Sequence, residues 1–189
     1  AVLSHDRGGL GVGAGWMREE FEVLGREFRG RGKRLDEMIA SVDAVIQLPD
    51  PVGEVIRAWQ RPNGLTIQKV RVPLGVVGII YESRPNVTSD CAALCLKSGN
   101  AVVLRGGAES FRSNEAIRTA LQSALATTRR PEAAVSTIPT ADRLGVDLML
   151  QMDQYINVII PRGGEALIQK VVETSRVPVI KHAKGVCHV

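Results

Sequence analysis

Six residues, Val76-Val77-Gly78-Ile79-Ile80-Tyr81, constrain this chain more than any other stretch. They are apolar and largely β-branched at odd and even positions alike. The strand they predict therefore cannot show either face to water. Polar Glu82 to Asn86 follow at once. Thr88, Ser89 and Asp90 are N-cap residue types for a helix running through Cys91, Leu94 and Cys95. Gly99 stands where a left-handed residue would end it. Ala101 to Leu104 is a second apolar strand, and Arg105-Gly106-Gly107 turns sharply after it. Two buried strands joined through a helix are the unit of a parallel sheet covered by helices. In such sheets ligands bind outside the carboxyl ends of the strands. Both the 82–86 loop and the glycine turn are predicted to lie there.

The rest of the chain repeats the unit. Asn114 to Leu125 carries a helical apolar stripe, and Val135 to Ile138 is a short strand. Ala141 to Met152 is a helix weakened by Gly145. Ile156 to Ile160 is a buried strand, followed by the turn Pro161-Arg162-Gly163-Gly164. Glu165 to Thr174 is a helix and Val177 to Ile180 a further strand. The pattern predicts an α/β fold: a Rossmann-like parallel sheet with helices on both faces and right-handed crossovers. Upstream, helices are predicted over Met17–Phe28 and Leu35–Ile46. After Leu48-Pro49-Asp50-Pro51, two extended runs meet at Pro62-Asn63-Gly64, a hairpin signal. The apolar residues of the second run change face near Lys69, which predicts a bulge or a change of packing partner there. The expected organisation is an irregular and helical segment over 1–53, a hairpin arm over 54–72, and a Rossmann-like domain over 73–189, incomplete at its C-terminus. The chain stops as Gly185 to Val189 begins another strand, so it is expected to be part of something longer.

Composition excludes several functions. The net charge is +4 and no basic stretch is interleaved with aromatics, so nucleic acid is not an expected partner. No apolar run approaches the ~20 residues of a membrane span. The N-terminus lacks the apolar core of a signal peptide. Three cysteines, an odd number, argue against a disulfide framework and for a reducing, cytoplasmic setting. Cys91 and Cys95, four apart with no second ligand pair, read as core thiols, and no metal is expected. Gly8 to Gly15 imitate a dinucleotide fingerprint, but no strand precedes them.

Three turns at strand ends hold the polar chemistry. Asn86 is either a plain turn residue near a helix cap or an amide N–H aimed at developing negative charge. Arg84 has the planar fork that suits a carboxylate or phosphate. In the second turn, Gly106 and Gly107 let backbone approach a ligand, and Arg105 suits a ribose 2′-phosphate. In the third, the helix start behind Gly163 and Gly164 suits a pyrophosphate. The bland alternative in each case is a tight turn.

The motifs YESRPNVTSDCAALCLKSGNAVVLRGG, IIPRGG at 159–164 and GVCHV at 185–189 resemble the gamma-glutamyl phosphate reductase family, within the aldehyde dehydrogenase superfamily. The resemblance runs from about Leu48 to Val189 and is poor before that. It implies NADPH-dependent reduction of L-glutamyl 5-phosphate to L-glutamate 5-semialdehyde and phosphate, in proline biosynthesis. A cysteine would attack the acyl phosphate, phosphate would leave, and hydride would reduce the thioester. By motif, Asn86 matches the oxyanion donor; the implied substrate carries both a carboxylate and a phosphate, either of which the Arg84 fork would bind. Arg105 and Glu109 match the lysine and glutamate that touch the adenosine ribose elsewhere in the superfamily, with one extra residue between. Gly106, Gly107, Pro161, Arg162, Gly163 and Gly164 complete the implied NADP(H) contacts. The nucleophile is implied beyond Val189, since Cys187 sits in a different motif, so the isolated chain is expected to be inactive. No glutamate stands at 181–185 to activate water, which suits a reductase. The resemblance also implies a homo-oligomer and a glutamate 5-kinase partner. Two alternatives remain: another oxidoreductase of the superfamily, and a nucleotide-binding or scaffold module without chemistry.

Overall fold

The computed structural model describes residues 31–82 and 85–181. Helix α1 spans Arg31–Gln47 and contains the predicted Leu35–Ile46. Its Met38 packs against the core, and Val45 is buried. The predicted helix over Met17–Phe28 lies outside the described residues.

Strands β1 (Val55–Gln60) and β2 (Thr66–Val70) form the expected antiparallel hairpin. Gly64 closes its turn with φ +87°, a conformation glycine adopts without a Cβ penalty. The irregularity predicted near Lys69 is real but sits on the other strand. Val55 pairs with Val70 and Arg57 with Lys69, so Ile56 is the extra residue.

The main sheet is parallel and ordered β5-β4-β3-β6. Strand β3 is Val76–Tyr81, β4 is Ala101–Arg105, β5 is Val135–Thr137 and β6 is Val158–Arg162. Side chains alternate across it. Val77, Ile79, Val102, Leu104 and Val158 face helices α2 (Pro85–Lys97) and α3 (Phe111–Thr127), meeting Ala92, Cys95, Ile117 and Leu121. Ile80 and Ile159 face the opposite side, against Val146, Met149 and Leu150 around helix α4 (Leu144–Met149) and Val171 of α5 (Glu165–Thr174). Helices therefore cover both faces, as expected.

Several boundaries differ from the sequence reading. Helix α2 begins at Pro85, ahead of the expected caps. A proline suits the first helical position, where its fixed φ is already helical and its missing N–H would have had no partner. Thr88 and Ser89 lie inside the helix and are buried, and Ser89 Oγ donates back to Asn86 O at 2.8 Å. Helix α4 is shorter than the expected Ala141–Met152. Thr140 Oγ1 accepts the Asp142 N–H and Asp142 Oδ1 accepts the Leu144 N–H; such local bonds hold a segment as turns. Strand β6 starts later and takes in Pro161 and Arg162, which pair in register with Ile80 and Tyr81. Only Gly163 and Gly164 are left as the turn. Val177–Ile180 makes a single parallel bridge, Val179 to Ile159, rather than a full strand.

Helix α2 ends as predicted. Gly99 has φ +74°, its N–H bonds Leu96 O, and the Asn100 N–H bonds Cys95 O. These two bonds satisfy carbonyls that the helix end leaves open.

Candidate functional site

From β3 the chain steps outward to β4 and β5, then returns to place β6 on the other side of β3. The order therefore reverses between β3 and β6, and in open α/β sheets a ligand crevice lies at that reversal, outside the carboxyl ends. Register brings those ends together. Ile80 pairs with both Arg105 and Pro161, and Tyr81 with Arg162. The loops after β3, β4 and β6 thus share one edge of the sheet.

Glu82 bridges the ends of β3 and β6. Its backbone N–H bonds Arg162 O at 3.3 Å. Its Oε2 accepts the Gly164 N–H at 3.1 Å. A Cβ on Gly163 would stand 2.6 Å from the Glu82 carboxyl carbon, so a side chain there would make the carboxylate shift. Gly164 is the N-cap of α5, with no side-chain cap of its own. The Glu82 carboxylate rests on the amide of Gly164 at this helix start, where the helix dipole favours negative charge. Of the other residues expected here, Pro161 is buried in β6 and Arg162 is exposed at its end.

Asn86 is the second residue of α2 and is exposed. Arg84 and Ser83 lie outside the described residues. Lys181 is exposed, and Cys187, His182 and His188 also lie outside the described residues.

At the β4 turn a 2′-phosphate contact would call for a guanidinium that reaches out, and Arg105 is 8% exposed. Its Nη2 donates to Ala141 O at 2.8 Å and Asp142 O at 3.2 Å. Arg105 is turned inward and ties the end of β4 to the loop before α4. Burial lowers its affinity for the proton, while Glu109, Tyr81 and Asp142 work the other way. Gly106 and Gly107 do allow close approach. A Cβ on Gly106 would lie 2.2 Å from Asn114 Nδ2, and one on Gly107 would lie 2.5 Å from Glu109 Oε1. Behind this turn Tyr81, Thr88, Asn114 and Ser110 form a buried hydrogen-bonded chain. The sequence reading missed it, although one signal was present: Asn114 continues the Ile117–Leu121 stripe of α3 as a polar residue on an apolar face.

Neither described cysteine is a nucleophile by its setting. Burial pushes the Cys91 thiol up to about 11, with Asp90 adding and Arg162 opposing. Burial, then Cys91, pushes Cys95 to about 12. A thiol held protonated is a poor nucleophile. Among the described residues no group of three or more acidic, histidine or cysteine side chains is placed to hold a metal. Nor is any described helix long and apolar enough to cross a membrane.

The chain matches no family model. Over 156 residues, 82% of its length, it is 62% identical to the gamma-glutamyl phosphate reductase of Citrifermentans bemidjiense, of which the match covers 37%. The crystal structure of gamma-glutamyl phosphate reductase from Thermotoga maritima superposes with a TM-score of 0.81 at 45% identity, over 90% of this chain and 42% of that one. An engineered glycolyl-CoA reductase with bound NADP+ superposes with a TM-score of 0.63 at 21% identity, over 86% of this chain and 36% of that one, a likeness of fold alone. The chain thus spans little more than a third of the length of the curated relatives it matches.

Proposed function

The chain belongs to the gamma-glutamyl phosphate reductase family, and we propose on that footing that it supplies the NADP(H)-binding part of an enzyme of proline biosynthesis. The reaction is reduction of L-glutamyl 5-phosphate to L-glutamate 5-semialdehyde with release of phosphate. The observation that carries this reading is the turn after β6, beside the end of β3 where the strand order reverses. It is a glycine turn leading into a helix start whose N-cap is Gly164, with a carboxylate already seated on the amide of that glycine.

NADP(H), when bound, supplies the hydride. Its diphosphate is assigned to Gly163, Gly164 and the start of α5, beside Pro161 and Arg162. Its adenosine ribose is assigned to the turn Arg105 to Glu109, where Gly106 and Gly107 present backbone and Glu109 a carboxylate. Arg105 shapes that turn from beneath. Asn86, exposed at the first turn of α2, donates its side-chain N–H to the oxyanion formed when a thiol attacks the acyl phosphate. Arg84 takes a carboxylate or phosphate of the substrate. The attacking thiol is neither Cys91 nor Cys95, whose raised values keep them protonated. The cytoplasm, a homo-oligomer and a kinase that makes the labile acyl phosphate complete the reading.

The test is phosphate-dependent reduction of NADP+ with L-glutamate 5-semialdehyde by the full-length protein. Residues 1–189 alone are expected to show no turnover while quenching or enhancing NADPH fluorescence on binding. A full-length protein that neither turns over nor binds NADPH would refute the reading. Turnover with simple aldehydes in place of the semialdehyde would move the chain elsewhere in the superfamily.

A further inference from the structure

Thr88, Asn114, Ser110 and Tyr81 are 0%, 5%, 0% and 2% exposed. The Thr88 hydroxyl donates to Asn114 Oδ1 at 2.9 Å. Thr88 has one hydroxyl proton, so at its 2.6 Å contact with Tyr81 the phenol is the donor. Asn114 Nδ2 donates to Ser110 Oγ at 3.2 Å, and Ser110 Oγ donates to Gly107 O at 3.3 Å. The chain therefore runs one way, from the end of β3 to a backbone carbonyl of the 106–107 turn. Burial holds the Tyr81 phenol at about 12, so it keeps the proton it gives. Turning any one member leaves a buried group unpaired, which makes such a chain all-or-none.

Its ends are not arbitrary. Tyr81 is the last residue of β3 before the 82–86 loop. Thr88 is two residues beyond Asn86 in the same helix, and Gly107 is in the proposed adenosine turn. There is no slack beneath that turn, because a Gly106 Cβ would stand 2.2 Å from Asn114 Nδ2 and 3.0 Å from the Tyr81 ring. Apolar side chains could fill this space, but without direction they would not set a distance between the two turns.

We propose that Thr88 and Asn114 are positioning residues that lock the first turn of α2, and with it Asn86, to the Gly106-Gly107 turn, so that oxyanion donor and cofactor are held in one register. This rests on the reductase reading above.

The experiment uses the full-length enzyme with Thr88→Val, which keeps the shape and removes the central hydroxyl. Tyr81→Phe is the second variant, for use if the first does not fold. For each, kcat, KM for NADPH and thermal midpoint are measured, alone and combined with Asn86→Ala. Misplacement of a reacting group is costly, so kcat per folded molecule is expected to fall roughly tenfold or more. On an Asn86→Ala background the further loss is expected to stay within about twofold, because coupled residues are not additive. A lowered midpoint with unchanged kcat would overturn the inference, as would full multiplication of the two losses. Wild-type enzyme without activity would instead refute the reductase reading, and the inference with it.

Discussion

Arg105→Ala separates two accounts of the β4 turn. The guanidinium donates to Ala141 O at 2.8 Å and to Asp142 O at 3.2 Å. A hydrogen bond to a charged group contributes about 1.5–3 kcal/mol, and the longer of these two belongs at the low end. Together they are worth about 3–4 kcal/mol. Against this, Nε is buried without a partner among the described residues, and its removal would relieve about 1–2 kcal/mol of desolvation. The net loss is about 2 kcal/mol, which in a chain of this size lowers the midpoint by roughly 4–8 °C. The assay is thermal unfolding of wild type and variant, with NADPH and NADH titrated by fluorescence well below both midpoints. Both cofactors are expected to weaken alike, within about twofold, as the loop before α4 loosens. A charge-assisted contact to the 2′-phosphate would instead cost NADPH alone roughly tenfold or more. An unchanged midpoint with a selective loss of NADPH would refute the inward reading of Arg105.

Asn86→Ala in the full-length enzyme is expected to lower kcat by about 10²–10³ with substrate KM little changed, since the donor acts on charge absent from the ground state; a fall in midpoint with intact kcat would remove Asn86 from the catalytic residues. Glu82→Gln keeps an acceptor for Gly164 but removes the charge that a diphosphate must meet, so NADPH should bind about two- to fivefold tighter, the span of a helix-terminus charge effect, and weaker binding would show that Glu82 serves the cofactor instead. Burial alone would raise the Glu115 carboxyl, but bonds from Arg118 and Thr137 outweigh it and hold it below its ordinary value of 4.5. Its stabilising share is therefore present above 4.5 and is lost as pH falls through the lower folded value, so the midpoint should drop with acidification more steeply in wild type than in Glu115→Gln. Cys91 and Cys95, raised to about 11 and 12, should resist iodoacetamide at pH 8 in the folded protein, with site-resolved mass spectrometry as the readout; rapid labelling of Cys91 would contradict its burial.

The sheet was legible because its strands are short apolar runs with no other explanation. Val76–Tyr81 and Glu165–Thr174 are found where periodicity puts them. Gly99 ends α2 because a left-handed position admits few other residues. What was hidden depends on partners distant in sequence. Thr88 looks like a helix cap locally, and becomes an interior residue only because Asn114 and Tyr81 meet it. Arg105 looks like a phosphate ligand after a strand, and is turned inward by two carbonyls some 36 residues on. Pro161 looks like a turn, yet it lies within β6, with Ile80 opposite it. Glu82 reads as one more polar loop residue until β6 brings Gly164 beside it.

The strand order also dictates an order of assembly. Val77 pairs with Val102 on one side and with Val158 on the other. The first pairing closes a short stretch through α2, while the second must wait for the long excursion through α3, β5 and α4. Closing the longer loop costs more chain entropy. During synthesis β3, β4 and β5 can therefore associate while β6 is still inside the ribosome. Until it emerges, β3 offers an unpaired edge, and Ile80, buried in the finished protein, has neither Ile159 nor Val171 against it. A nascent chain paused in that interval presents a sticky strand to its neighbours, so the stretch after β5 is where slow translation or a missing chaperone should produce aggregates.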